Sequence, residues 1–278
     1  MSKARRRSGQ FVIWLLLGLV TVFAAFPIYW MFNTALSTSA ELFGTGQDLW
    51  PHLERLGQIP ASLAAVNTFG LLRNSAFVAF GTTILSLVIA IGAAYALSRF
   101  KFFGRGVSGF FLFATQMLPQ ALLVVPLFAL FVSFGLINNL SGLVLAQTAF
   151  SMPVAVFIMK TAIDKIPYEI EESARVDGCP AIGQLSLIVV PLILPSIAAA
   201  AVITFFDGWN EFLFANTFIS SADKWPASVG LAQFMGQYAT PLSTVMASAL
   251  VFTLPAVIFF LVVQRRIVSG LTAGAVKG

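Results

Sequence analysis

The segment Lys160–Pro180, with the sequence KTAIDKIPYEIEESARVDGCP, is the most highly charged part of this chain. The whole chain has 16 basic and 11 acidic residues, and eight of these charged residues fall between Lys160 and Asp177. Long apolar stretches precede and follow the segment. The pattern therefore indicates a polar connection between two hydrophobic segments.

The amino-acid composition indicates whether those segments lie in water or in a lipid bilayer. Of 278 residues, 58% are hydrophobic and 10% are charged, whereas soluble domains carry about 25% charged residues. A backbone inside a bilayer must satisfy its own hydrogen bonds, which leaves helices or closed barrels. The apolar stretches are continuous rather than alternating, so the sequence predicts an all-α, polytopic membrane protein.

Six stretches are long enough to cross a bilayer, which takes about 20 apolar residues. Residues 1–278 would then form a single transmembrane domain. A cleaved signal peptide is the alternative for the first stretch, but its apolar run exceeds a usual signal core and no clear cleavage site follows, which favours an uncleaved first helix. The predicted spans are 11–32, 76–97, 110–136, 143–159, 192–218 and 245–263, with Pro119 and Pro126 interrupting the third.

The basic residues predict the orientation, because cytoplasmic loops of membrane proteins are rich in Lys and Arg. Thirteen of the 16 lie in the head, in alternate loops and in the tail 264–278, and three lie on the other side, namely Arg55, Arg73 and Lys224. Both termini are therefore expected in the cytoplasm. The same surplus would suggest nucleic-acid binding in a soluble protein, but here it indicates topology.

Several function classes are disfavoured. The chain has one cysteine, Cys179, and one histidine, His52, so neither a disulfide framework nor a metal site is expected. The glycine-rich phosphate loop, the dinucleotide fingerprint and the zinc-protease and serine-hydrolase motifs do not occur in it. We expect no catalytic residue, no nucleotide site and no cofactor in this chain.

The polar segment itself reads as a short helix of about ten residues. Pro167 suits its first turn, Gly178 suits a left-handed cap after its end, and Pro180 prevents its continuation. Glu171 and Arg175 stand four residues apart with the acid first, which predicts an ion pair on one helix face. For an arbitrary charged loop, a solvated connector would be the default interpretation.

A specific spacing raises this loop above that default. Glu172-Ser173-Ala174, Gly178, Ile188 and Pro191 match the pattern E-A-A-x3-G-x9-I-x-L-P. The segment resembles the signature of permease subunits of binding-protein-dependent ABC importers. Ser173 stands in an Ala position and Val190 in a Leu position, and both changes are small.

The resemblance covers nearly the whole chain and is strongest to the shorter, second permease of maltose-type sugar transporters. It implies a six-span type I ABC importer permease fold with a cytoplasmic coupling helix. The further segments that carry it are Asn74-Ser75, Ala93–Ala96 with Arg99-Phe100, Trp209-Asn210-Glu211, Gln264–Arg266 and Gly270–Gly278.

The resemblance also implies partners. These are a homologous second permease, two ATPase subunits that bind ATP and Mg²⁺, and an extracytoplasmic solute-binding protein, all at the bacterial inner membrane. The coupling loop 164–190 would dock on an ATPase subunit. The ATPase-coupling residues carried over by position are Glu169, Glu172, Ser173, Ala174, Asp177, Gly178 and Pro191.

Polar residues inside spans mark a candidate translocation path, since they usually face a bundle interior or a wet cavity. Asp207 either lines that path or pairs with the second permease. The outer loop around Asp223 and Gly230 is expected to contact the binding protein, and the tail either reaches the ATPase interface or is a disordered terminus. The candidate path residues are Gln116, Gln120, Gln147, Asp207, Trp209, Asn210 and Glu211.

A disaccharide or oligosaccharide is the expected solute. Glycerol-phosphate or phosphodiester uptake by the same machinery is the alternative within this class. An ion-coupled secondary transporter using Asp207 and Glu211 is the alternative outside it, and a membrane enzyme would need a buried nucleophile or metal site that the sequence does not display.

Overall fold

A computed structural model of the protein describes residues 3–45, 48–236 and 240–275, and no strand occurs in these ranges. The all-α prediction is confirmed. Two π-helical segments, Glu41–Thr45 and Gln184–Val189, interrupt the α-helical pattern. The α-helices are α1 Lys3–Ala35, α2 Ile59–Ala65, α3 Thr68–Arg99, α4 Arg105–Ala114, α5 Gln120–Ser133, α6 Leu140–Ile163, α7 Tyr168–Val176, α8 Ala181–Gly183, α9 Val190–Leu192, α10 Leu194–Trp209, α11 Leu213–Phe218, α12 Ala227–Gly236 and α13 Leu242–Ala275.

Five of the described helical stretches are long and apolar enough to cross a membrane, and a bent pair makes a sixth if it counts as one span. This agrees with the predicted number. The five are Val12–Ala35, Thr68–Arg99, Leu140–Ile163, Leu194–Phe218 and Leu242–Arg265, and the bent pair is Arg105–Met117 with Gln120–Ser133.

The third predicted span is interrupted at Pro119, as the sequence predicts, but not at Pro126. The chain bends by 106° between the two halves. Leu118 has an extended backbone, with φ −83° and ψ 125°, because a residue before proline is sterically driven out of the helical region. Pro119 then precedes the new helix, while Pro126 lies inside α5 and does not break it.

Three helix limits lie far from the predicted span limits, and the first is the start of α1 at Lys3 rather than at residue 11. The second span begins at Thr68 rather than at residue 76, and α13 continues to Ala275, well beyond the predicted end of its span at residue 263. Hydropathy marks where a helix stops being apolar, whereas helical hydrogen bonding continues into polar or small residues. Residues 276–278 of the predicted tail lie outside the described ranges.

The chain divides into two compact units. The first comprises Met1–Phe69 with Leu231–Leu254, and the second comprises Gly70–Gly230 with Pro255–Gly278. The single domain over 1–278 stays a prediction.

Within the first unit, polar side chains fasten the loop after α1. The Arg55 guanidinium donates to both carboxylate oxygens of Glu41, at 2.6 and 2.8 Å, and this bond lowers the pKa of Glu41 to about 2. The Asn33 amide donates to the Asp48 carbonyl at 2.6 Å. The loop is therefore tied both to itself and to the end of α1.

The second unit is built on α3, α6 and α10, and it contains two buried apolar clusters. One centres on Val78, Leu143 and Phe214, and the other on Ala90 and Met159. Small residues let these helices approach closely, as is usual where helices pack inside membranes.

Helices α3 and α10 pack closely at Gly208. A Cβ atom added there would lie 2.9 Å from the Ala79 Cα atom and 3.3 Å from the Thr82 Cβ atom. We therefore expect Gly208→Val to separate the helices and to lower the free energy of unfolding by about 1–3 kcal/mol. The measurement is the thermal unfolding midpoint of the purified, detergent-solubilised protein.

Gly92→Val is the matched control, since Gly92 lies in α3 with no atom within 4 Å of an added Cβ. It should leave the midpoint nearly unchanged. Equal midpoints for both variants would contradict close packing at Gly208.

Candidate functional site

Helix α7 lies in the polar segment, with the limits that the sequence punctuation predicts. Pro167 precedes it with an extended backbone, and it ends at Val176. Gly178 has φ +85°, the Cys179 amide donates to the Ala174 carbonyl at 2.9 Å, and the Gly178 amide donates to the Arg175 carbonyl at 3.1 Å. These two bonds form a Schellman cap, which favours glycine at the left-handed position.

The inward side of α7 is held by one buried carboxylate. Glu171 has an exposed fraction of 0%, and it accepts from Arg99 Nε at 2.6 Å and from the Tyr95 hydroxyl at 3.0 Å. The expected pair between Glu171 and Arg175 was wrong. The guanidinium of Arg175 instead donates to the Tyr168 hydroxyl at 3.2 Å and lies 5.7 Å from that ring centre.

Burial explains the choice of partner. An exposed i, i+4 pair contributes only a few tenths of a kcal/mol, whereas a buried carboxylate without hydrogen bonds is strongly destabilising. Arg99 also uses a second nitrogen, which donates to the carbonyls of Ile163 and Ile166 at 3.0 Å each. Because Ile163 is the last residue of α6 and Ile166 lies in the connection from α6 to α7, Arg99 joins the end of α3 to the end of α6 and to α7. We call Tyr95, Arg99 and Glu171 the anchor.

The other side of α7 faces outward. Ala174 is half-buried, and the Ser173 hydroxyl donates to the Glu169 carbonyl at 2.8 Å. Gly178 has no atom within 4 Å of an added Cβ, so its backbone conformation and not its packing favours glycine. The predicted coupling residues that lie exposed are Glu169, Glu172, Ser173, Asp177, Gly178 and Pro191.

The chain after α7 is fastened by a buried amide. Gln184 has an exposed fraction of 2%, and its side chain donates to the Cys179 carbonyl at 2.8 Å. A cavity of about 470 Å³ lies beside it. Its lining includes Tyr95, Arg99, Tyr168, Arg175 and Gln184.

Among the predicted path residues, the structure brings Gln147 and Asp207 together. Gln147 has an exposed fraction of 3%, and its amide donates to the Asp207 backbone carbonyl at 3.2 Å. The Asp207 side chain is exposed, as are those of Asn210 and Gln120. Gln116 is exposed too, and its amide donates to the Phe150 carbonyl at 3.0 Å.

The two remaining path candidates, Trp209 and Glu211, lie inside the fold. Trp209 is 2% exposed and stacks on Phe205, with ring centres 5.5 Å apart. Glu211 is 6% exposed, and its carboxylate accepts from the Phe214 amide at 2.6 Å. Glu211 therefore caps the start of α11, where the free amides of a helix favour a negative charge.

The loop between α11 and α12 is held by hydrogen bonds to two other elements. The Asn74 amide donates to the carbonyls of Asp223 and Trp225 at 2.9 and 3.0 Å. The Lys224 ammonium donates to the Asn138 carbonyl at 2.9 Å. This loop is therefore bonded both to α3 and to the turn between α5 and α6.

Comparison with known protein families shows the family to which this chain belongs. The family described as "Binding-protein-dependent transport system inner membrane component" matches residues 86–272, which include the anchor and α7. The chain belongs to this family. It is therefore a multi-pass membrane protein of ABC transporters.

Named relatives match along almost their whole length. The sulfoquinovosyl glycerol transport system permease protein SmoH of Agrobacterium fabrum is 33% identical over 98% of this chain and 95% of its own. The trehalose permease protein SugB of Mycobacterium tuberculosis is 33% identical over 94% and 95%, and the trehalose/maltose permease protein MalG of Thermococcus litoralis is 31% identical over 94% and 94%.

A solved structure supports the permease fold. A chain of a bacterial ABC transporter involved in the import of the acidic polysaccharide alginate superposes with a TM-score of 0.80, at 24% identity, covering 95% of this permease and 98% of that chain. The type I importer fold expected from the sequence is thereby confirmed.

Sequence reasoning did not identify the anchor. In the sequence, Tyr95 and Arg99 stand out only as part of a family-like segment, and the spacing pairs Glu171 with Arg175. The available signal was the position of Arg99 at the end of a 32-residue apolar helix, where a cation needs an anionic partner or carbonyl groups.

The anchor predicts a large loss of stability when one partner is removed. Arg99→Met leaves Glu171 buried without its counter-charge, so the free energy of unfolding of the permease should fall by about 3–5 kcal/mol. Arg175→Met removes an exposed cation from the same region and should change it by less than about 0.5 kcal/mol. Both are measured by thermal unfolding of the purified transporter.

The double variant Arg99→Met with Glu171→Met separates charge pairing from packing. Replacing both members of a buried pair by apolar groups of similar size should restore much of the stability. If the double variant is less stable than Arg99→Met alone, the buried ion pair is not the source of the loss.

Proposed function

We propose that this permease is one half of the membrane pore of an ATP-driven importer that takes up a disaccharide or oligosaccharide. A second permease completes the pore. Two ATPase subunits bind ATP and Mg²⁺, and an extracytoplasmic protein delivers the solute. The expectation that this chain itself holds no cofactor and performs no catalysis is part of the proposal.

The two-sided construction of α7 is the observation that carries this proposal. A helix of nine residues presents acids outward while a buried carboxylate holds its other side to α3 and α6. An exposed acidic surface suits charge-assisted contacts to basic residues of an ATPase subunit. The half-buried Ala174 and exposed Ser173 are small enough to permit close approach of that partner.

The anchor gives a route for coupling. A displacement of α7 by the closing ATPase pair acts on Glu171, then on Arg99, and so on the ends of α3 and α6. Helix α6 carries Gln147, whose amide donates to the backbone carbonyl of Asp207. In this account α6, one of the helices on which the displacement of α7 acts, also carries a residue of the candidate path.

The proposed orientation places both termini, the coupling loop and the tail in the cytoplasm. Thirteen of the 16 basic residues then lie on the cytoplasmic side, as is usual for membrane proteins. Asp223 to Gly230 would lie outside, where the hydrogen-bonded outer loop offers a fixed surface to the binding protein. A solved complex of similar fold contains a periplasmic protein bound to an alginate pentasaccharide.

Relatives that carry sugars support the solute class. Trehalose, trehalose/maltose and diacetylchitobiose systems contain permeases at 30–33% identity to this one. Glycerol-phosphate uptake is less favoured by these relatives. Ion-coupled transport through Asp207 and Glu211 is also less favoured, because the Glu211 carboxylate already caps α11.

Charge reversal at Glu172 tests the docking surface. Glu172→Lys changes an exposed side chain, so the protein should still insert and assemble. The repulsion it introduces should reduce solute-stimulated ATPase activity by about tenfold or more, since 1.4 kcal/mol corresponds to a factor of ten. The measurement uses the complete transporter in proteoliposomes with loaded binding protein.

Glu54→Lys is the matched control, because Glu54 is an exposed acid in the predicted outer loop after the first span. It should leave ATPase stimulation unchanged. Normal stimulation of the Glu172→Lys transporter would remove α7 from the ATPase contact.

Removal of the tail tests the second proposed ATPase contact. Deleting residues 271–278 should lower the number of solute molecules imported per ATP hydrolysed, because the tail would reach the interface between the ATPase subunits. Unaltered coupling in counterflow and ATPase assays would show that the end of α13 is dispensable.

A further inference from the structure

A band of polar side chains crosses three helices of the second unit. Thr82 and Ser86 lie one turn apart on α3, and Gln147 and Ser151 lie one turn apart on α6. Residues four apart share a helix face, so each pair presents both its polar groups in one direction. Asp207 lies on α10, next to Gly208.

The band converges on residues 207 and 208. A Cβ on Gly208 would lie 3.3 Å from the Thr82 Cβ atom, so α3 contacts α10 at this level. The Gln147 amide donates to the Asp207 carbonyl at 3.2 Å, so α6 contacts α10 there as well. Ser151 is a polar neighbour of the Asp207 carboxylate.

Three buried oxygen atoms in this band have no hydrogen-bond partner among the described residues. They belong to side chains with exposed fractions of 0 to 3%, and buried polar groups are nearly always bonded. Other hydroxyls on the same helices, those of Thr83, Thr148 and Thr204, bond to carbonyls one turn earlier. The three oxygen atoms are Thr82 Oγ1, Ser86 Oγ and Gln147 Oε1.

At the open end of the band lies the exposed Asp207 carboxylate. Among the described side chains, no Lys, Arg or His nitrogen lies within 4.0 Å of it. Acids inside spans are costly and are normally paired or directed at a wet path. An exposed acid backed by unbonded hydroxyl and amide oxygens fits the second description.

The chemistry of this group defines what it can bind. Carboxylate and amide oxygens accept hydrogen bonds, and serine and threonine hydroxyls both donate and accept. One of the two N–H groups of the Gln147 amide donates to the Asp207 carbonyl. The group therefore offers acceptors and hydroxyls to hydroxyl-bearing molecules. An anion would be repelled by the Asp207 carboxylate, because no Lys, Arg or His nitrogen of the described side chains lies within 4.0 Å of it.

We propose that Asp207 contacts the hydroxyl groups of the solute in the translocation path and selects uncharged polyhydroxylated solutes over anionic ones. Gln147 is a positioning residue that fixes the backbone of Asp207. The proposal rests on the proposed function, since it names the solute class of that same path. Of the two roles that the sequence leaves open for Asp207, path lining and pairing with the second permease, the proposal adopts the first.

The test measures the charge near residue 207 through the reaction rates of a nearby thiol. It does not require the natural solute to be known. Asn210 is exposed and lies one turn from Asp207, so Asn210→Cys places a reporter thiol beside the carboxylate. Cys179→Ser removes the native thiol. In the complete transporter, the thiol is reacted with a cationic and an anionic methanethiosulfonate of similar size, and the two rates are compared.

The cationic reagent should react about fivefold faster or more, because one nearby negative charge attracts one reagent and repels the other. Adding Asp207→Asn should bring the two rates close to equality, whereas adding Thr148→Val, which removes a bonded hydroxyl of α6, should leave the ratio unchanged. A ratio near one with Asp207 present, or no reaction with either reagent, would overturn the proposal.

The second arm tests solute contact. Trehalose and maltose, delivered by the loaded binding protein or added at high concentration, should slow the labelling, whereas their phosphate esters should not. Protection by the esters alone, or by none of these solutes, would overturn the contact with uncharged solutes. If Asp207→Asn instead prevents assembly with the second permease, Asp207 is an interface residue and the proposal is wrong.

These outcomes do not depend on whether the proposed function is correct. ATP-independent uptake by the complete transporter would overturn the proposed function whatever the labelling rates. An ATP-driven importer with equal labelling rates would keep the proposed function and remove Asp207 from the path.

Discussion

The buried ion pair between Arg99 and Glu171 is the constraint on which the coupling region depends. The guanidinium of Arg99, the last residue of α3, bonds the carboxylate of α7, the carbonyl of Ile163 at the end of α6 and the carbonyl of Ile166 in the connection between α6 and α7. One side chain therefore joins α3 to two helices that lie more than 60 residues later in the sequence. Without it, α7 would be a short polar helix with little apolar surface of its own to hold it in place.

The energetics of such a pair favour a fixed geometry more than a high stability. Taking both charges out of water is expensive, and a buried pair often stabilises a fold no better than apolar residues would. Here the Tyr95 hydroxyl adds a bond to the carboxylate, and two carbonyls add bonds to the guanidinium. A charge pair with these additional bonds fixes the angle and register of α7, which suits the proposed role of α7 in transmitting a displacement.

The sequence predicts much of this structure because its strongest signals are local. Apolar length predicts the spans, and Gly178 and Pro167 mark the limits of α7. Pro119 and Pro126 both predict an interruption of the third span, but the chain breaks at Pro119 and not at Pro126, because a proline alone does not tell whether a helix bends, breaks or continues. The partner of Glu171 and the roles of Trp209 and Glu211 could not be predicted, since each depends on which residues from distant segments are brought into contact. Among the path candidates, Gln147 and Asp207 are the pair that the described structure joins by a hydrogen bond.

The central claim is that α7 and the ends of α3 and α6 move as one body when the ATPase closes. Spin labels at Val176→Cys on α7 and Thr161→Cys on α6, in a Cys179→Ser background, measure this directly, since both positions are exposed. The account predicts the same label distance in the nucleotide-free and ATP-bound transporter, and a broadened, shifted distance after Arg99→Met. A distance that changes with nucleotide while the anchor is intact would contradict it.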